Sequence, residues 1–321
     1  MMAGKEQETL FPLTFAEKKR LFLNEYKSAN GTIKYKRYVG SPLRYAGGKS
    51  LAVGLIMELV PDDIERLVSP FLGGGSFEIA CAKELGLPVI AYDIFDLLIN
   101  YWDVQLRHPQ ELYERLKRFN PTREEYKRIR KILKLHWDGK ERIRSKYDRA
   151  AIYYFNHNTS YGPHFLGSPS SVYLEPVRYK KMIEKSRDLK ANIKVGCASF
   201  EKIMDKYKND FLYCDPPYYL NGDSKMFVGM YPHRNFPIHH VNFKHEQLRD
   251  FLMEHEGGFV LSYNDCSTIR KWYKELKTIS PSWQYTFGQG DTRLGKNRLN
   301  GNKSHIKESH ELIIWKKPSR R

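Results

Sequence analysis

The sequence predicts an α/β fold, a mostly parallel sheet with a helical segment inserted partway along the chain. Residues 67–71 read as a short buried strand, 72–76 as a glycine-rich turn, 77–85 as a helix and 88–93 as a second strand, which together make one βαβ unit. Strand-like apolar runs return at 193–200, 211–214, 258–263 and 311–316, with a helix at 243–254. Between these two parts the character changes: residues 111–146 are helical in pattern and rich in Arg and Lys.

Each element has a local cause. The turn at 41–50 opens an amphipathic helix at 51–60, stopped by Pro61. Ser76 is placed to cap the helix at 77–85, and Gly86 to end it. The run 164–171 is loop-like, rich in Gly, Ser and Pro, and residues 282–287 read as a last strand joined to 311–316 by a long Gly/Asn/Lys/Arg loop. Residues 1–39 are polar and Lys/Glu-rich, with one helical stretch at 15–26, and read as an N-terminal extension.

The 321 residues are 41% hydrophobic and 14% aromatic, enough for a substantial core, so a disordered chain is excluded. Lys and Arg number 54 against 37 Asp and Glu, a net charge of +17 that suits a polyanionic partner through counterion release. Charge alone leaves open a basic surface with no such role. Cys81, Cys197, Cys214 and Cys266 are scattered without metal-ligand spacing, and His239-His240 reads as surface, so no metal site is expected. No apolar stretch reaches membrane-spanning length and the N-terminus lacks a signal-like segment. These features imply reduced thiols, no membrane association, and a cytoplasmic location, or a nucleoid or nuclear one.

The chemistry concentrates at Asp215-Pro216-Pro217-Tyr218, which ends the apolar run 211–214. Each proline fixes its own φ and lacks an N–H, and Pro217 also restrains Pro216, so the strand end is a stiff rim. The Asp215 carboxylate and the neighbouring backbone carbonyl can then face one point as two acceptors, with the Tyr218 ring as a wall. An exocyclic amino group on a flat ring suits that rim; a rigid turn after a buried strand is the alternative the tetrapeptide leaves open.

Upstream, Gly73-Gly74-Gly75 lies between strand and helix, where bare backbone can approach a ligand closely, although Glu78 breaks the full dinucleotide-binding pattern. Asp93 ends the next strand about twenty residues on, where an acid can accept from both ribose hydroxyls or simply cap a turn. Ser199-Phe200 follows another strand of the same edge, and Phe200 can cover an adenine face or fill core. Tyr45-Ala46-Gly47-Gly48-Lys49 is a second glycine turn; its lysine suits the amino-acid end of a small cofactor, or solvent.

Together, Tyr45-Ala-Gly-Gly-Lys49, Pro70-Phe71-Leu-Gly73-Gly-Gly75-Ser76, Tyr92-Asp93-Ile94 and Asp215-Pro-Pro-Tyr218 resemble the DNA adenine-N6 methyltransferases of the Dam type, the alpha group of the D12 class. Phe243, Leu248 and Val260-Leu-Ser-Tyr-Asn264-Asp265 add to the likeness, as does motif order, with the Gly-Gly-Lys element first and a long basic insertion before Asp215. Tyr45 stands where the family often has Trp.

The resemblance implies a class I S-adenosylmethionine-dependent methyltransferase sheet, Rossmann-like, with an inserted, mainly helical DNA target-recognition domain. The catalytic domain would comprise 40–102 and 193–321, and the recognition domain 103–192. S-adenosyl-L-methionine would be held by Tyr45, Lys49, Phe71, Gly73, Gly75, Asp93, Ser199, Phe200 and Asp215. Asp215, Pro216, Pro217 and Tyr218 would be catalytic, and Asn156, Asn158, Ser160, Tyr161, Arg293 and Lys296 would contact double-stranded DNA. A monomer or weak dimer is expected, acting with a cognate restriction endonuclease or alone. A transferase acting on RNA or a protein amide, and a DNA-binding module without turnover, are the competing readings.

Overall fold

The computed structural model describes residues 12–29, 34–220, 243–281 and 311–319. Seven strands form one sheet: β1 (Leu67–Ser69), β2 (Val89–Asp93), β3 (Ile193–Cys197), β4 (Phe211–Cys214), β5 (Phe259–Asn264), β6 (Lys277–Ile279) and β7 (Glu311–Lys316). Their spatial order is β3-β2-β1-β4-β5-β7-β6. The strands β1 to β5 pair in parallel, whereas β7 runs antiparallel between β5 and β6.

The central strands β4 and β5 are buried along their whole length. A parallel strand covered on both faces needs an unbroken apolar run rather than alternation, which is what their sequences carry. Strand order reverses between β1 and β4, so the chains leaving their carboxyl ends diverge and open a crevice. Asp93, the Gly73–Gly75 turn and Asp215 all follow strand ends on that edge. The register that pairs Asn264 with Glu311 brings the start of β7 to the same edge.

Helices cover both faces. On one side lie α1 (Phe15–Tyr26), α2 (Val53–Leu59), α3 (Ser76–Ile79) and α4 (Asp96–Arg107), joined by the helical insertion α5 (Pro109–Leu116), α6 (Arg123–Trp137), α7 (Lys146–Asn158) and α8 (Pro176–Arg187). On the other lie α9 (Phe200–Lys206), α10 (His245–Glu254) and α11 (Ser267–Trp272). The insertion packs through α4 and α7, whose buried Tyr101 and Tyr154 rings stack at 5.6 Å. Among the described residues, no helix is long and apolar enough to cross a membrane.

Two local expectations change. The first turn after β1 is capped not by the Ser76 side chain but by Gly75 in the left-handed region (φ 63°), and the helix passes after Ile79 into a wider π-type turn, Ala80–Glu84. A residue with a β-carbon is strained at that φ, so the third glycine is needed by the turn itself. Within residues 1–39, α1 starts with a reciprocal cap between Thr14 and Glu17 and buries Phe22 in the core. Lys19 bridges it to Asp62 at 2.7 Å, so this helix is part of the core rather than an appendage. The expected strand at 282–287 and the basic loop after it lie outside the described residues; the described antiparallel partner of β7 is Lys277–Ile279.

Candidate active site

The first half of the site is built from backbone. Asp93 reaches across from β2 and its two carboxylate oxygens accept from the N–H groups of Gly73 and Phe95, each at 3.0 Å. The Gly73 carbonyl in turn accepts from the Trp102 indole at 3.0 Å, and the Gly74 carbonyl from the Ser41 hydroxyl at 2.7 Å. Tyr45 lies over the turn so closely that a β-carbon at Gly74 would meet that of Tyr45 at 2.6 Å. Tyr45 is itself held by a stack of rings: its centroid is 5.7 Å from that of buried His157, which is 5.4 Å from Tyr153. Burial pushes the His157 imidazole down to about 3, so this stack is neutral at physiological pH.

An aromatic corner closes this half. Phe200 sits with Phe71 at 5.8 Å and Phe243 at 5.2 Å between ring centroids, immediately after Ser199, the residue that precedes α9. The Ala198 N–H donates to the Asp93 carbonyl at 3.1 Å and fixes the corner to the acid. Tyr45, Phe71, Gly73, Gly75, Asp93, Ser199 and Phe200 therefore lie at one edge of the sheet.

The second half is built from buried charge. The Lys49 ammonium is nearly sealed, with the residue 4% exposed, and lies 2.8 and 2.9 Å from the two Asp215 oxygens. It also donates to the Gly47 carbonyl at 2.7 Å and stands 5.1 Å from the centre of the Tyr218 ring. Burial alone would lower the lysine, but Asp215, then Glu311, outweigh it and hold the ammonium protonated. Burial raises the Asp215 carboxyl, and Lys49 opposes that rise. Asp215 is surrounded by protein on its strand side yet keeps 22% of its side chain open, the face a ligand could reach. Lys49 thus points at Asp215 in this structure, a partner its turn sequence did not indicate.

Tyr218 is 5% exposed, donates from its hydroxyl to Glu311 Oε1 at 2.6 Å, and lies nearly parallel to Tyr263 at 6.1 Å. At the start of α3, Glu78 is 2% exposed and accepts from the Ser69 hydroxyl at 2.6 Å. Burial pushes its carboxyl up to about 8, so it is mostly protonated at neutral pH. Sequence reasoning assigned no role to Glu78 or Glu311. Each did carry a signal: a charged residue inside an apolar helix start, Ser76-Phe-Glu78-Ile, and one heading an apolar strand, Glu311-Leu-Ile-Ile-Trp.

The residues expected to read DNA divide. Asn156, Asn158 and Ser160 are fully buried and face inward: Asn156 accepts from the Leu166 N–H at 2.8 Å, and Asn158 accepts from the Arg44 N–H and donates to the Pro42 carbonyl, each at 3.0 Å. Ser160 accepts from the His164 N–H at 3.1 Å and bonds to the Gly162 carbonyl. They brace the segment that follows α7, and Tyr161 beside them stands 71% exposed. Arg293 and Lys296 lie outside the described residues. Arg123, Lys127, Arg128, Arg130, Lys131 and Lys134 all project from one exposed side of α6 or its flanks.

Known proteins resemble this chain in sequence over most of its length. A type II methyltransferase of Lactococcus lactis subsp. cremoris, M1.LlaDCHI, is 28% identical over 270 residues, covering 79% of this chain and 91% of that protein. The type II methyltransferase M.FokI of Planomicrobium okeanokoites is 27% identical over 211 residues, 60% of this chain but 31% of the longer relative. The family model of the D12 class N6 adenine-specific DNA methyltransferases matches residues 45–287, from the Tyr45 turn to beyond β6, and this chain belongs to that family.

Proposed function

We propose that the chain moves a methyl group from S-adenosylmethionine to N6 of an adenine extruded from duplex DNA, with Asp215 as the residue that receives the amino group. The supporting observation is the convergence of Lys49, Asp215, Tyr218 and Glu311 on the crevice where strand order reverses.

The backbone half fits a nucleoside-bearing methyl donor. Asp93 stands beside Gly73 for ribose hydroxyls, the space next to Tyr45 excludes any side chain at Gly74, and Phe71, Phe200 and Phe243 offer an apolar corner for a base. S-adenosylmethionine, when bound, supplies an electrophilic sulfonium methyl.

Everything else falls to the protein. An adenine amino group is a poor nucleophile because its lone pair is delocalised into the ring, and in a duplex it is buried, so the base must leave the stack. Two fixed acceptors, the Asp215 carboxylate and the Pro216 carbonyl, draw its two N–H bonds toward tetrahedral geometry and free the lone pair for attack. The N6–C bond would form as the C–S bond breaks with its electron pair staying on sulfur, and the surplus proton would pass from the then strongly acidic N6 to solvent. Pro216 and Pro217 hold the acceptors still, and Tyr218 walls the base.

The exposed cations of α6 and Tyr161 support a helical insertion that meets DNA, the former on phosphates and the latter toward the gap left by the base. The type II relatives support a role as the modification enzyme of a restriction system, alongside a cognate nuclease. The test is transfer of label from S-adenosylmethionine to unmodified genomic duplex, read as N6-methyladenine. Asp215→Ala should lose transfer by about a thousandfold while remaining folded; undiminished transfer in that variant, or label only in RNA, rejects the reading.

A further inference from the structure

Glu311 is 1% exposed, and the chemistry above leaves it without a duty. Its Oε1 accepts from the Tyr218 hydroxyl at 2.6 Å and also lies 3.9 Å from the Lys49 ammonium. Its backbone is fixed opposite Asn264, whose amide donates to the Tyr219 carbonyl at 2.6 Å. One edge of the sheet therefore grips both the ring of Tyr218 and the chain just beyond it.

The Asp215 carboxylate has a conflict that Glu311 can resolve. Both of its oxygens face Lys49 at 2.8 and 2.9 Å, yet an amino group must also donate to one of them. If the ammonium retreats with no second anion, a buried cation loses its counter-charge, which is costly in a site this closed. Lys49 faces Asp215 from β4, Glu311 from β7, Glu78 from α3 and the ring of Tyr218. Glu311 in turn faces the Tyr218 hydroxyl, Lys49 and, electrostatically, the buried Tyr213 phenol. Glu78 is mostly neutral near pH 7, and Glu311 is, after Asp215, the carboxylate that most raises the Lys49 ammonium.

We propose that Glu311 is a positioning residue for methyl transfer: it fixes the Tyr218 ring through the hydroxyl, and it takes up the Lys49 ammonium as the target amino group engages Asp215. The inference rests on the proposed adenine-N6 reaction. It adds no proton transfer, since Lys49 stays protonated and moves by the difference between two contacts.

The test measures kcat and KM for unmodified genomic duplex with labelled S-adenosylmethionine, from about pH 6 to about pH 10, using the full chain. Glu311→Gln keeps an acceptor for Tyr218 but loses the charge. It should remain folded, because Asp215 still pairs with Lys49, hold KM for DNA, and lower kcat by about tenfold to a hundredfold. Lys49 is held above its ordinary 10.5 in the wild type, so its alkaline limb lies beyond this range; in Glu311→Gln, with one carboxylate that raises Lys49 gone, the limb should move to lower pH and into it. Tyr218→Phe removes the anchor and keeps the charge, so kcat should fall with the limb in place.

Wild-type kcat with an unmoved limb in Glu311→Gln overturns the proposal, as does a fall in kcat that only tracks lost folding with the limb unmoved. If Glu311→Gln does not fold, Tyr218→Phe decides, and wild-type kcat there overturns it. Wild-type enzyme that methylates adenine while Glu311→Gln matches it removes the Glu311 role alone; no adenine methylation by the wild type removes both readings.

Discussion

The two halves of the crevice are held by different physics. Around Gly73–Gly75 and Asp93, neutral backbone groups and one carboxylate exchange ordinary hydrogen bonds of 2.7 to 3.0 Å along neighbouring chain segments. Around Asp215, a buried cation and several carboxylates meet from four distant parts of the chain, residues 49, 78, 215 and 311. A cradle of backbone tolerates change in proportion to the bonds it loses. A buried charge cluster does not, because removing one member strands another. The contrast predicts large, pH-dependent effects in the second half and modest, pH-independent ones in the first.

The largest effect is expected at Lys49. Lys49→Ala leaves Asp215 without its partner in a site where the lysine side chain is 3% exposed. We expect about 3 kcal/mol of lost stability at neutral pH by denaturant unfolding, discounted for the open face of Asp215, together with near-complete loss of transfer. Stability within about 0.5 kcal/mol of wild type would show the pair to be idle, as exposed pairs are.

Glu78 sharpens the comparison through pH. Its folded carboxyl titrates near 8 against an ordinary 4.5, so the folded state binds the extra proton between those values and stability falls as pH climbs through them. Glu78→Gln keeps the acceptor for Ser69 and removes the titration. The variant should match wild type near pH 4 and exceed it by on the order of 3 kcal/mol near pH 9. A stability difference that does not change with pH would place Glu78 outside the charged cluster.

The smallest effect belongs to the backbone half. Asp93→Asn keeps one acceptor for the Gly73 and Phe95 N–H groups but turns the other oxygen into a donor. About 1 kcal/mol of stability and about tenfold in S-adenosylmethionine affinity should be lost, with little dependence on pH above the carboxylate range. Denaturant unfolding reads the first and calorimetric titration of the methyl donor the second, and a loss as large as that of Lys49→Ala would erase the distinction between the halves.

That same distinction explains what the sequence showed. The βαβ unit, the apolar runs of β4 and β5 and the glycine turn were legible because each is a local pattern: periodicity, a strand end, a turn that needs bare backbone. The helix at 15–26 was read with its bounds intact, yet its burial against α2 was not, because an amphipathic helix does not name the surface it covers. Gly75 rather than Ser76 caps α3, since a left-handed residue supplies the turn that a side-chain cap would otherwise make.

Tertiary meetings were out of reach. Nothing local to the Tyr45–Lys49 turn says that its lysine points at a residue 166 positions away, or that Glu311 meets Tyr218 across 93. Asn156, Asn158 and Ser160 had the composition of a base-reading loop, but α7 runs through Asn158 and turns their side chains onto the chain at 42–44 and 162–166. Polar residues at a helix end serve bracing and recognition equally well, and only packing separates the two.

The most direct test of the account is a structure of the protein with duplex DNA and S-adenosylhomocysteine. The account predicts an adenine outside the stack, its N6 within hydrogen-bond distance of Asp215 and the Pro216 carbonyl, its face against Tyr218, and the ammonium of Lys49 drawn toward Glu311. An adenine still paired in the duplex, or an extruded base with Asp215 clasped by Lys49 and turned from N6, would contradict it.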